Sequence, residues 1–344
     1  MKKAPTVKDS HAASVQGAHV VDGGSALLRI VAVAAVVMLH VGSYFHAPAE
    51  ASAGLNMFSV VAACCFWAVP AFVVLSGYHT LPRIEETGAW GYYRRRIGGV
   101  ILQTLFWSAL FSLVGCFHKN ADLLDLAGKW LHCQPFFHLW FVFMLLGLYL
   151  MAPLCWAVAR RPAGVAAVLL LQFAVSLNPG MWDADPWRCP VLISIPYAAM
   201  FTIGGIIARR GISPLVGRCA AFLSVAYFCF MICMSALRCA NGGYPVFHYL
   251  GFAGVWGGAS VVVASLYLGR GIPDGAAQIL FRISRLVFGV YLVHPLVMTV
   301  FLKIVPSSLW GLMTVRVAVW LAICVASFIF AALCRRLPCL RRIV

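Results

Sequence analysis

Acidic side chains are scarce in this chain, with 10 Asp and Glu against 26 Lys and Arg. All of them fall in the N-terminal tail or in loops, and none lies inside an apolar run. Proton-coupled transporters and pumps usually hold Asp or Glu at membrane depth as relays or cation sites, so that class lacks its commonest signature here. Charge of either sign is also short, at 10% of residues against about 25% in a soluble domain. Residues 1–24 (MKKAPTVKDSHAASVQGAHVVDGG) lack the apolar core and cleavage site of a signal peptide. They are expected to form a disordered cytoplasmic tail. No CxxC pair occurs among the 13 cysteines, most of which lie inside apolar runs, so a metal site has little support. Cys133, Cys189 and Cys239 fall in loops placed outside, where a disulfide is chemically allowed but no pairing can be assigned. GxSxG is missing as well, which removes the case for Ser76 as a hydrolase nucleophile. There is no internal repeat of the kind common in transporters.

What the chain has is apolar length. Of its 344 residues 62% are hydrophobic, and ten segments approach or exceed the roughly 20 residues that cross a bilayer. They run over 25–45, 57–79, 97–117, 137–158, 163–179, 191–208, 217–237, 246–269, 283–305 and 309–334. Between them lie HAPAE, LPRIEETG, RRPAG, NPGMWDADP, RRGISP, NGGYP, GRGIPDG and VPSS, the punctuation expected of loops. The basic residues divide unequally between the two sets of loops. Only Lys119, Lys129, Arg188, Arg238 and Lys303 fall on the side opposite the N-terminal tail, while the arginine clusters at 94–96, 160–161, 209–210 and 335–336 share its side. By the positive-inside rule both termini are cytoplasmic. A net charge of +16 distributed in this way marks topology, so no nucleic-acid partner is implied. The expected fold is an all-α integral membrane protein of about ten transmembrane helices.

Within the spans five ionisable residues need a reason: Arg29, His40, His138, His294 and Arg316. A charge at the bilayer centre costs about 2.5–3.5 kcal/mol on insertion scales. Arg29 and His40 close the stretch RIVAVAAVVMLH in the first span. Their separation brings them about 20° past three full helical turns, on one face and about 16 Å apart in rise. A cation at the inner mouth and a titratable imidazole farther along suit an elongated anionic ligand whose reactive end meets the histidine. Arg29 snorkelling to lipid phosphates, with His40 packed at the outer interface, accounts for the same residues. His138 opens the fourth span and His294 falls past the midplane of the ninth, so all three histidines occupy similar outer-half depth. The second span ends in FVVLSGYHT, which contributes the hydroxyls of Ser76 and Tyr78 and a glycine, Gly77, that permits close approach. WGYYRRRIGG then sets Arg94, Arg95 and Arg96 at the inner end of the third span, as a topology signal or as a phosphate-holding cluster. Trp130, Phe136, Phe137, Trp140, Trp182 and Trp187 at the outer side suit either an interfacial belt or stacking on sugar faces.

Taken in order, these pieces resemble the acyltransferase type 3 family of bacterial membrane acyltransferases. They are the R-x10-H of Arg29 and His40, FVVLSGY, YYRRR, HLWFVFMLLGLYLMAP and FGVYLVHP, spaced as in the family across nearly all of 25–337. The HLWF…GLYL…P form is most like the branch associated with O-acetylation of surface polysaccharides such as enterobacterial common antigen. The resemblance implies a membrane acyltransferase domain over 25–337, followed by a basic cytoplasmic tail at 338–344. It also implies residence in a bacterial inner membrane. The implied reaction moves an acyl group, usually acetyl, from acetyl-CoA to a hydroxyl of an envelope polysaccharide or lipid-linked glycan, with no permanently bound cofactor. His40 carries over as the essential histidine and Arg29 as its basic partner. Beside them His294, His138, Ser76 and Tyr291 are expected in supporting roles, and Arg94, Arg95 and Arg96 at the donor phosphates. One departure stands out. Many members carry R-x-x-R at the start of the third span, where this chain reads Arg96-Ile97-Gly98-Gly99. The rival reading is a multi-spanning transporter or flippase of lipid-linked sugars, which would leave a thioester intact.

Overall fold

The computed structural model describes residues 22–44, 57–119, 123–179, 190–241, 247–309, 312–338 and 340–344. Among them the chain is helical throughout, with no strand. In chain order the helices are α1 (Gly23–Tyr44), α2 (Met57–Ala63), α3 (Ala68–Thr80), α4 (Pro82–Lys119), α5 (Leu123–Leu131), α6 (Trp140–Ala159) and α7 (Pro162–Leu177). They continue as α8 (Pro190–Arg210), α9 (Pro214–Ala240), α10 (Phe252–Leu268), α11 (Asp274–Ser284), α12 (Val287–Ile304) and α13 (Met313–Arg336). Nine helical stretches among the described residues are long and apolar enough to cross a membrane. Each of the ten expected segments has a helical counterpart, but that of 163–179 is α7, whose 16 residues span only about 24 Å.

Two helix breaks have local causes. The second span is divided at residues 64–67, where Cys65, Phe66 and Ala68 N–H groups bond the third residue back, at Ala62, Ala63 and Cys65, instead of the fourth. Pro70 follows four residues after Phe66; its ring clashes with a helical carbonyl at that position and offers it no N–H, so the regular helix restarts only at Ala68. The third span begins with a helical turn in the expected loop LPRIEETG and kinks at Gly88, whose φ of 67° is a left-handed conformation suited to glycine.

α1 is the centre of the assembly. It packs on α11, α10, α3, α12, α13 and α2, and Trp320 Nε1 of α13 donates to its Ala34 carbonyl at 3.0 Å. Its start is set by Asp22, whose carboxylate accepts from Ser25 N–H at 3.0 Å, an N-cap that satisfies one of the orphan donors of the first turn. α3, α6 and α8 form the tightest layer. There Gly77 lies so close to α8 that a Cβ would collide with the Phe201 carbonyl, and Gly204 lies equally close to Val74. Gly77 thus serves the close backbone approach foreseen from the sequence. α4 and α9 are peripheral and present Leu102, Leu105, Phe222 and Leu223 outward, as lipid-facing helices do.

The arginine-bearing helix ends meet on one face. Arg209 donates to the Arg160 carbonyl at 2.6 Å, Arg335 to the Arg285 carbonyl at 2.6 Å and Arg270 to the Ile212 carbonyl at 2.9 Å. Cys133 and Cys239 are both buried. Cys189, Trp182, Trp187 and the tail 1–21 lie outside the described residues.

Candidate active site

A cavity of about 440 Å³ opens on the arginine face between α1, α3, α4, α6, α12 and α13. Five guanidinium groups line it: Arg29, Arg95, Arg96, Arg285 and Arg335. No acidic side chain does, so the cavity is electropositive. Along α4 the lining residues are Arg95, Arg96, Gly99, Val100 and Gln103, the three-and-four spacing of one helix face. Arg94 is not among them. It stands about 200° around the helix from Arg96, so the three consecutive arginines do not act as one cluster. The position where relatives in the family pattern carry a second arginine, Gly99, is itself on the wall. Arg285 and Arg335, which the sequence presents as ordinary topology charges, bring cations there from other helices.

Arg96 is held at Tyr149: its Nη2 donates to the Tyr149 hydroxyl at 3.3 Å, and its guanidinium carbon lies 5.3 Å from the ring centroid. Arg29 is fixed on the opposite wall. Its Nε donates to the Ser25 carbonyl at 3.3 Å and its Nη2 to His79 Nε2 at 3.4 Å. Arginine only donates, so His79 Nε2 is unprotonated in this contact. His79, in the stretch FVVLSGYHT that ends the second span, thus orients Arg29. Ser76 lines the same cavity one turn below.

Tyr291 also lines the cavity, its ring against those of Phe141 and Phe288. Behind Tyr291 the three histidines converge, His40 from α1, His294 from α12 and His138 from the turn ahead of α6. His40 stacks on His294 with centroids 5.2 Å apart and 23° between the planes, and His138 meets His294 edge-on at 5.5 Å. Tyr291 touches both, at 5.5 Å from His138 and 5.8 Å from His294, and its hydroxyl donates to the His138 carbonyl. His138 and His294 are fully buried, whereas His40 is half-buried. Phe137, on the outer side, packs edge-on against His40 at 4.9 Å. His40 is not itself on the cavity wall. Arg29 therefore lies on the cavity wall, and His40 in the histidine cluster beyond Tyr291.

The His-Pro dipeptide at 294–295 has a direct geometric consequence. In a regular helix residue 295 would donate to the Tyr291 carbonyl, but proline has no N–H. The carbonyl so released accepts instead from His294 Nδ1 at 2.7 Å. A carbonyl can only accept, so the proton of His294 is on Nδ1 and Nε2 presents a lone pair. Nε2 makes no hydrogen bond within the protein. Neither ring nitrogen of His138 makes a well-formed hydrogen bond either. Unpaired buried polar atoms are costly, and their concentration here points to groups kept for a ligand. No group of His, Cys, Asp and Glu among the described residues has the geometry to hold a metal ion. Of the expected outer aromatic residues, Trp130 is bound to Ser112 Oγ at 2.9 Å and Phe136 stacks on Phe111 at 4.4 Å.

A family model described as an acyltransferase domain matches residues 23–336. No match is found among curated proteins or among solved structures.

Proposed function

Because the chain belongs to the acyltransferase type 3 family, we propose that it transfers an acyl group, acetyl in the first instance, from acyl-CoA to a hydroxyl of an envelope carbohydrate, with His40 as general base. The observation that carries this reading is the juxtaposition of a five-arginine cavity and, across the Tyr291 ring, three histidines joined through His294. The arginine face is the cytoplasmic one under the positive-inside rule, in a bacterial inner membrane.

In this mechanism donor phosphates engage Arg29, Arg95 and Arg96, with Arg285 and Arg335 adding charge. Arginine suits phosphate because its planar fork donates two parallel hydrogen bonds. The pantetheine arm follows the wall past Ser76 and brings the thioester to Tyr291. Unprotonated His40 takes the proton of the acceptor hydroxyl as the oxygen attacks the thioester carbonyl carbon. The C–S bond then breaks, the new C–O bond remains, and the imidazolium returns its proton to the departing thiolate. His294, through its unpaired Nε2, and His138 orient the thioester or the acceptor. The stacked, water-poor surroundings favour such steps because dipoles act more strongly at low dielectric. The acceptor, a polysaccharide or lipid-linked glycan, arrives on the side of Phe137.

Labelled acetyl-CoA incubated with purified protein tests the assignment. Release of free CoA thiol, with label moved to a glycan, supports it; an intact thioester in the presence of envelope glycans refutes it.

A further inference from the structure

We propose that residues 340–344 form the wall that selects the acyl group of the donor, with Val344 setting its length; this rests on the donor reading of the basic cavity. Past the end of α13 the chain turns back on itself. Arg341 N–H bonds the Leu337 carbonyl at 2.9 Å and Ile343 N–H the Leu340 carbonyl at 3.0 Å. The segment then runs along α4. Gln103 Nε2 donates to the Arg342 carbonyl at 3.3 Å, and Trp107 Nε1 donates to the Ile343 carbonyl at 2.7 Å. Trp107 and Ile343 are both buried. A basic tail with no structural task would stay in water, whereas this one is anchored to a helix by two side-chain bonds.

The anchor lies deep. Trp107 is about 16 Å of helix rise beyond Arg96, past the arginines and toward the reacting end. The tip of the segment meets α12 at Gly289, where any side chain would collide with Val344 Cγ1. Gly289 precedes His294 by about 7.5 Å of rise, and Val344 lines the same cavity as Tyr291 and Phe288. A thioester presented at Tyr291 has its acyl group beside this tip. Val344 and Phe288 both line the cavity there, in the space that a longer acyl chain would need. A methyl group fits there, and an extended alkyl chain meets the isopropyl group of Val344.

The test is kcat/KM for acetyl-, butyryl-, hexanoyl- and octanoyl-CoA with the purified full chain. Wild type is expected to favour acetyl. A pocket of this kind discriminates about tenfold or more per methylene, so Val344→Gly should raise the hexanoyl-to-acetyl ratio by about that factor. Trp107→Phe keeps an aromatic ring, though a smaller one, but loses the bond to Ile343, and should shift the ratio in the same direction by less. Arg96→Ala should weaken all donors alike and leave the ratio unchanged. If both Val344→Gly and Trp107→Phe alter rates without altering the ratio, the segment is only structural and the proposal fails. If wild type consumes no acyl-CoA of any length, the donor reading itself fails and this inference falls with it.

Discussion

The two compartments on either side of Tyr291 are built on opposite principles. The inner one is open to the arginine face and lined by five guanidinium groups with no acidic side chain. The outer one holds rings, no formal charge and buried nitrogens without hydrogen bonds. Cations at a mouth bind and orient an anion; imidazoles in an apolar nest move protons. Separating the two lets binding energy be gathered far from the reacting bond, which is how remote contacts come to serve a chemical step.

Substitutions can break this contrast in graded ways. The largest effect is expected on the outer side, where His40→Ala should cut transfer by the about 10²–10⁴-fold of a lost general base. Next comes Arg96→Ala or Arg29→Ala, removing one charge-assisted contact to phosphate. Such contacts are worth about 1.5–3 kcal/mol, so the Kd for acetyl-CoA should rise about tenfold to a hundredfold, with chemistry on bound donor retained. Unchanged affinity would take that arginine out of the donor site. Tyr291→Phe keeps the partition but loses its bond to the His138 carbonyl, and a loss of about 1 kcal/mol, near fivefold in kcat, is expected. Pro295→Ala sharpens the comparison further. It supplies an N–H that competes for the Tyr291 carbonyl, so His294 loses its fixed tautomer and kcat falls while donor affinity holds. Smallest is the effect of salt, which should weaken donor affinity through the open inner compartment and leave turnover of saturated enzyme unchanged.

Much of this was legible in the sequence, and the reasons for the remainder are physical. Apolar length and arginine placement set the helices, because a bilayer leaves few alternatives. Depth along each helix brought His40, His138 and His294 to one level, since rise per residue is fixed. Depth says nothing about which way a side chain faces a neighbour. For that reason Arg285 and Arg335 read as topology charges, and Arg94 read as equal to Arg95 and Arg96. The role of His79 has no signal in its own stretch because its partner, Arg29, lies on another helix. The break at 64–67 had a signal in Pro70, but it falls within an unbroken apolar run that reads as one span. The return of 340–344 along α4 depends on a tertiary bond to Trp107 that no local pattern encodes.

The most direct test separates binding from chemistry in one variant. For purified His40→Ala, acetyl-CoA affinity is measured calorimetrically beside the release of free CoA thiol. The account predicts affinity close to that of wild type and thiol release near background. Undiminished thiol release would contradict it.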